Sequence, residues 1–103
     1  MSDAEEHPSL GLDDVVHQRV RLGILAVLAE APKADFGELR AILKLTDGNL
    51  SRHLTVLEDA GYVSVDKAFE GKRPKTWASI TKAGRKAFEE EVAALRALLD
   101  GVS

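Results

Sequence analysis

The chain has 103 residues with a formal net charge of −3, 45% hydrophobic residues, 30% charged residues and no cysteine. That is enough for one domain with a modest core, and the missing cysteines exclude disulfides, thiolate metal sites and thiol redox sensing. No apolar run is long enough to cross a membrane and the acidic N-terminus lacks a secretory pattern, so a cytoplasmic protein is expected. Residues 1–11 are polar and aperiodic, as in a mobile tail. A helix over 13–30 follows, with Asp13 or Asp14 able to cap it. Its stripe of Val16, Val20, Ile24 and Val27 is broadened by Leu22, Leu25 and Leu28, so it needs burial on two sides, one of which a second subunit can supply. Pro32 ends this region. Asp35 then caps a short helix with Glu38 reaching back and Phe36, Leu39, Ile42 and Leu43 as its apolar face.

The most informative stretch is Thr46 to Val63. Thr46 can cap a helix by accepting from the Asn49 N–H. Leu50, Leu54 and Leu57 recur at helical spacing, and Asn49, Ser51, Arg52 and Thr55 point elsewhere. Gly61 stops the helix and Tyr62-Val63 opens a strand that runs to Lys67. Glu70 to Pro74 reads as a basic turn, and Lys75 to Ile80 returns as a second strand. Thr81 caps a last helix over 81–100, whose Phe88, Val92, Leu95 and Leu99 step by 4, 3 and 4 as a pairing seam.

The negative net charge conceals an asymmetry. Residues 33–86 hold eleven Lys/Arg against seven Asp/Glu, a net of +4, and the remainder carries −7. A local basic face, not the global charge, is what meets phosphate. The order of elements predicts an α+β, mainly α fold: a winged helix-turn-helix with a two-stranded β wing and flanking N- and C-terminal dimerisation helices, within one domain over 12–100.

The segments V-H-Q-R-V-R-L-G-I-L, F-G-E-L, L-T-D-G-N-L-S-R-H-L-T-V-L-E-D-A-G-Y-V and G-K-R-P-K-T-W-A-S-I-T-K-A-G-R-K-A-F resemble the small MarR/ArsR-like transcriptional regulators of bacteria and archaea, and within them the compact winged-helix DNA-binding domain proteins. The resemblance covers about residues 12–100. It implies a homodimer on pseudo-palindromic operator DNA, with the third helix in the major groove and the wing along the minor groove or phosphates.

The expected DNA contacts are Asp47, Gly48, Asn49, Ser51, Arg52, His53 and Thr55 on the recognition helix and Lys72, Arg73 and Lys75 on the wing. Arg52 can read guanine bidentately, contact phosphate, or pair with Glu58 or Asp59. Asn49 can read adenine or serve the helix end. Ser51 and Thr55 suit close approach to the backbone, and Gly48 either admits DNA or belongs to the turn. His53, one step before Leu54, is read as a partly buried structural residue with DNA contact as the alternative. Trp77 is expected in the core. Arg19 and Arg21 touch the DNA backbone or cross the dimer interface. Val16, Val20, Ile24, Phe88, Val92, Leu95 and Leu99 are expected to form that interface, and the broad apolar first helix also admits a small-molecule effector pocket there.

No nucleophile–base arrangement, phosphate loop or metal-ligand spacing is present, and the histidines are only His7, His17 and His53. No enzyme activity, metal or cofactor is therefore expected. The expected function is a sequence-specific DNA-binding regulator, read as a homodimeric repressor with double-stranded DNA as its partner. The alternative is a winged-helix protein–protein interaction module without DNA binding.

Overall fold

A computed structural model of the chain describes residues 14–101. The expected tail over 1–11 and the Asp13 cap lie outside the described residues. The elements run α1 (Asp14–His17), α2 (Arg19–Glu30), β1 (Ala34–Asp35), α3 (Phe36–Leu43), α4 (Asp47–Asp59), β2 (Val63–Glu70), β3 (Arg73–Ile80) and α5 (Lys82–Asp100). They form a winged helix, and two details differ from the expected one.

The first helix is broken. Gln18 stands between α1 and α2 in a non-helical conformation (φ −58°, ψ 128°), and its side-chain oxygen accepts from the N–H groups of Val20 and Arg21 at 2.8 and 3.0 Å. Glutamine thus does the work usually given to a shorter capping residue, which hydrophobic periodicity cannot register. The sheet has three strands in the order β1-β3-β2, all antiparallel, not two. The extra strand pairs Ala34 with Ala78 and Asp35 with Trp77. A two-residue strand is too short to show alternation in sequence.

The core is a single cluster of apolar side chains from every layer: Val16, Ile24, Leu25 and Leu28, then Leu39, then Leu50, Leu54 and Leu57, closed by Val63 and Ala78 of the sheet. Val16 and Ile24 are wholly buried within the one chain. This corrects their expected place in a dimer interface, since neither has surface left to offer a partner. Ile42 departs in the other direction, at 57% exposed, because the short α3 turns only Leu39 fully inward.

Both ends of the helix-turn-helix are closed by hydrogen bonds. After α3, Leu45 N–H donates to Arg40 O at 3.0 Å and Lys44 N–H to Ala41 O at 3.4 Å, with Lys44 left-handed at φ 54°. After α4, Tyr62 N–H donates to Leu57 O and Gly61 N–H to Glu58 O, both at 2.9 Å. These are two Schellman closures, the first built on a residue whose Cβ resists that backbone. Lys44→Gly is therefore expected to raise stability by about 1 kcal/mol. Urea unfolding would check this, and an unchanged midpoint would mean that Lys44 bears no strain.

The wing is tighter and longer than the basic turn read from the sequence. Glu70 pairs with Arg73, which leaves Gly71-Lys72 as a two-residue turn. Gly71 has φ 65°, as a type II′ turn requires of its first central residue. Pro74 then sits inside β3 opposite Phe69. It is tolerated because β1 does not extend that far and β3 is locally an edge.

Candidate nucleic-acid interface

Thr46 caps α4 as its sequence requires, its Oγ1 accepting from Asn49 N–H at 3.1 Å. Leu50, Leu54 and Leu57 bury one side of the helix, which leaves Asp47, Gly48, Asn49, Ser51, Arg52 and Thr55 exposed on the other. Arg52 Nη2 donates to Asn49 Oδ1 at 3.1 Å, so the two residues form one outward-facing pair. Neither Glu58 nor Asp59 takes the guanidinium. Thr55 Oγ1 donates to Ser51 O at 3.0 Å. A Cβ built at Gly48 meets nothing within 4 Å, so packing inside the chain does not demand glycine there.

Asp47 is engaged by Arg40 of α3, with Nη1 2.6 Å from Oδ1. The pair is exposed, so it contributes little to stability. It does neutralise the one carboxylate in the first turn of α4. Arg40 and the turn residue Lys44 add exposed cations that the sequence reading did not assign. Their position at the end of α3 and in the connection to α4 was the available signal.

His53 is 8% exposed, and its Nδ1 lies 3.3 Å from Arg21 Nη1, across the α2–α4 junction. Arg21 Nε meanwhile donates to Val15 O of α1. A guanidinium is always protonated and can only donate, so Nδ1 accepts and the imidazole is neutral with its proton on Nε2. His53 is therefore a strut between α2 and α4. Burial first, then the charges of Arg21 and Arg52, hold its pKa below the usual histidine value.

A group lowered in this way stays neutral in the fold but takes up a proton in the unfolded chain below about pH 6.5. Stability should therefore fall as pH drops through 6.5 toward the folded-state pKa, and flatten below it. His53→Asn should abolish that part of the slope. Thermal melts of both proteins between pH 5 and 8 would check this, and identical slopes would remove His53 as the cause.

On the wing, Lys72 and Arg73 are exposed at the tip and make no ion pair among the described residues. Lys75 is different. Its Nζ donates to Glu70 Oε2 at 3.1 Å, lies 3.7 Å from Asp35 Oδ2 and stands 5.2 Å from the Trp77 ring centroid. The Glu70 hydrogen bond raises its pKa. These contacts draw its ammonium toward Glu70, Asp35 and Trp77, unlike Lys72 and Arg73 at the tip. Trp77 is half-buried, not core, with Lys33 Nζ 4.4 Å from its ring centroid as well.

Strand alternation puts Val65, Lys67 and Phe69 of β2 on one side and Ser64, Asp66 and Ala68 on the other. The first side faces α4. A cleft of about 370 Å³ runs there, bounded by Ser51, Thr55 and Glu58 of α4, Val65 and Lys67 of β2, and Thr76 of β3. Recognition helix and wing thus flank an open groove.

Among the described residues no group of three His, Cys, Asp or Glu is placed to hold a metal ion, and no helix is long and apolar enough to cross a membrane. Glu91 is an exception to the expectation that carboxylates face solvent, being fully buried on α5.

Residues 20–99 match the family model described as winged helix DNA-binding domain. An uncharacterised protein of Methanocaldococcus jannaschii is 42% identical over 73 residues, 71% of this chain and 79% of that one. A transcriptional regulator homologue protein from Pyrococcus horikoshii OT3 superposes with a TM-score of 0.86 at 33% identity, covering 100% of this chain and 99% of that one. A zinc-responsive MarR family member from Lactococcus lactis superposes at 0.61 with 19% identity, covering 99% of this chain and 72% of that one, a likeness of fold alone.

Proposed function

The chain belongs to the winged helix DNA-binding domain family, and from that premise we propose that it is a sequence-specific transcriptional repressor acting as a homodimer on a pseudo-palindromic operator. One observation carries the reading. The exposed face of α4 presents a tethered Asn49–Arg52 pair, beside a wing tip whose Lys72 and Arg73 have no partner among the described residues. The pair suits base edges and the tip suits phosphates. Arg40, Lys44, Arg52, Lys67, Lys72 and Arg73 are exposed cations along consecutive elements. They support DNA over a purely protein-binding module.

Dimerisation rests on α5. Val92 and Leu95 are half-buried and Leu99 is 69% exposed, continuing a seam that Phe88 begins against the core. Val20 of α2 is half-buried beside the same core. A two-fold through these positions would set two recognition helices about 34–36 Å apart, one turn of DNA.

Selection from a random duplex library at two salt concentrations tests the reading. Enrichment of an inverted repeat is expected. Binding without enrichment would leave only a non-specific binder, and no binding at low salt would end the DNA reading. Arg73→Ala should weaken all sequences alike and lower the slope of log K against log salt by about 1. A loss confined to particular sequences would instead place Arg73 on a base.

A further inference from the structure

Phe69 is 76% exposed, near the end of a hairpin that is otherwise polar at its tip. A lone exposed apolar residue needs no explanation, but three features set this one apart. Pro74 lies directly opposite it across the ladder, so the two make a joint apolar face on a stiffened strand pair. Its side of β2 is the one that bears Val65 and Lys67, which line the cleft against α4. Of the exposed cations nearby, Lys67 is two residues back on the same side, Lys72 is in the turn and Arg73 stands across the ladder from Glu70, whose carboxylate is occupied by Lys75.

An exposed aromatic side chain on the groove side of the hairpin, with ammonium and guanidinium groups in the adjoining turn and strand, matches what duplex DNA offers at a groove wall: phosphates on either side and stacked bases between them. Side chains of this class enter the minor groove as wedges and partly unstack a base step. We propose that Phe69, backed by Pro74, is such a wedge. The wing then contributes sequence preference through the ease of unstacking one step, in addition to the charge of Lys72 and Arg73. This rests on the DNA reading above.

The test uses the full-length protein and a duplex from the bound fraction of the library, with 2-aminopurine placed in turn at each adenine. Binding is followed separately by the anisotropy of an end label. Fluorescence of the base analogue should rise at one step in each half-site, flanking the recognition-helix contacts. Phe69→Ala should abolish that rise and weaken binding about tenfold, given what stacked aromatic contacts contribute. Phe69→Leu should keep most of the rise, and Lys72→Ala should weaken binding while leaving the rise intact. Phe69 is exposed, so these variants should melt as the wild type does.

If the wild type binds but no position brightens, or if Phe69→Ala brightens as the wild type does, the wedge is overturned and the DNA reading stands. If Phe69→Ala instead lowers self-association and leaves unstacking unchanged, the residue is a protein contact and the wedge is again overturned. If the wild type binds no duplex at all, the DNA reading falls and the wedge falls with it.

Discussion

Replacing Gly84 by alanine is expected to destabilise the protein by about 3 kcal/mol or more, a large part of the stability a small domain possesses. A Cβ at this position would stand 2.0 Å from the carbonyl oxygen of Tyr62 and 2.8 Å from its carbonyl carbon. Those are backbone atoms that cannot step aside. Tyr62 O accepts from Thr81 N–H at 3.0 Å, and Tyr62 N–H donates to Leu57 O at 2.9 Å. Thr81 is held in turn, because its Oγ1 donates to Gly61 O at 2.6 Å and accepts from Gly84 N–H at 2.9 Å. A methyl group therefore has to break the start of α5 or the end of α4. Thermal unfolding should show a midpoint lowered by roughly 10–20 °C. Gly48→Ala is the control, because its Cβ meets open space and alanine favours the helix. A Gly84→Ala protein that melts with the wild type would mean that α5 does not begin against Tyr62.

Arg52→Ala carries the largest expected effect on binding, a loss of about 1–3 kcal/mol together with loss of preference at one base position. The Asn49 contact holds the guanidinium on the outer face of α4 in advance, so less side-chain freedom is lost on binding. Lysine cannot reproduce a bidentate contact, so Arg52→Lys should lose the preference while keeping part of the affinity. Binding isotherms on the enriched duplex and on single-position variants of it would show both changes. An Arg52→Ala protein with unchanged affinity and preference would take α4 out of the groove.

Three helix caps, unlike Gln18, were legible in the sequence because each is a short polar side chain acting locally before an apolar run. Asp35, Thr46 and Thr81 each accept from the backbone N–H three residues on, as Ser/Thr/Asp chemistry before an apolar run suggests. The Leu50, Leu54 and Leu57 stripe and the stop at Gly61 were local in the same way. What periodicity could not supply was the third dimension of burial. Val16 and Ile24 have the same spacing whether they face a partner or their own core, and only the closure of α2 over α4 and the sheet decides. His53 lies between the buried stripe and the exposed face, and its side was settled by Arg21, 32 residues away. Lys75 is charged and near the turn, as Lys72 is, but Asp35 reaches it through the pairing of β1 with β3, a contact with no sequence signature.

The hydrogen bonds that join Thr81 and Gly84 to Gly61 and Tyr62 also make a rigid elbow. The end of α4 and the start of α5 are joined there by direct hydrogen bonds, with no slack loop between those two points. A helix of 13 residues is about 20 Å long, and a swing of about 10° at the elbow would carry its far end through about 3 Å. That is the length of a hydrogen bond, and the far end is where Asn49 and Arg52 stand. A small rotation of the long helix that α4 followed would therefore be enough to make or break contacts at the start of α4.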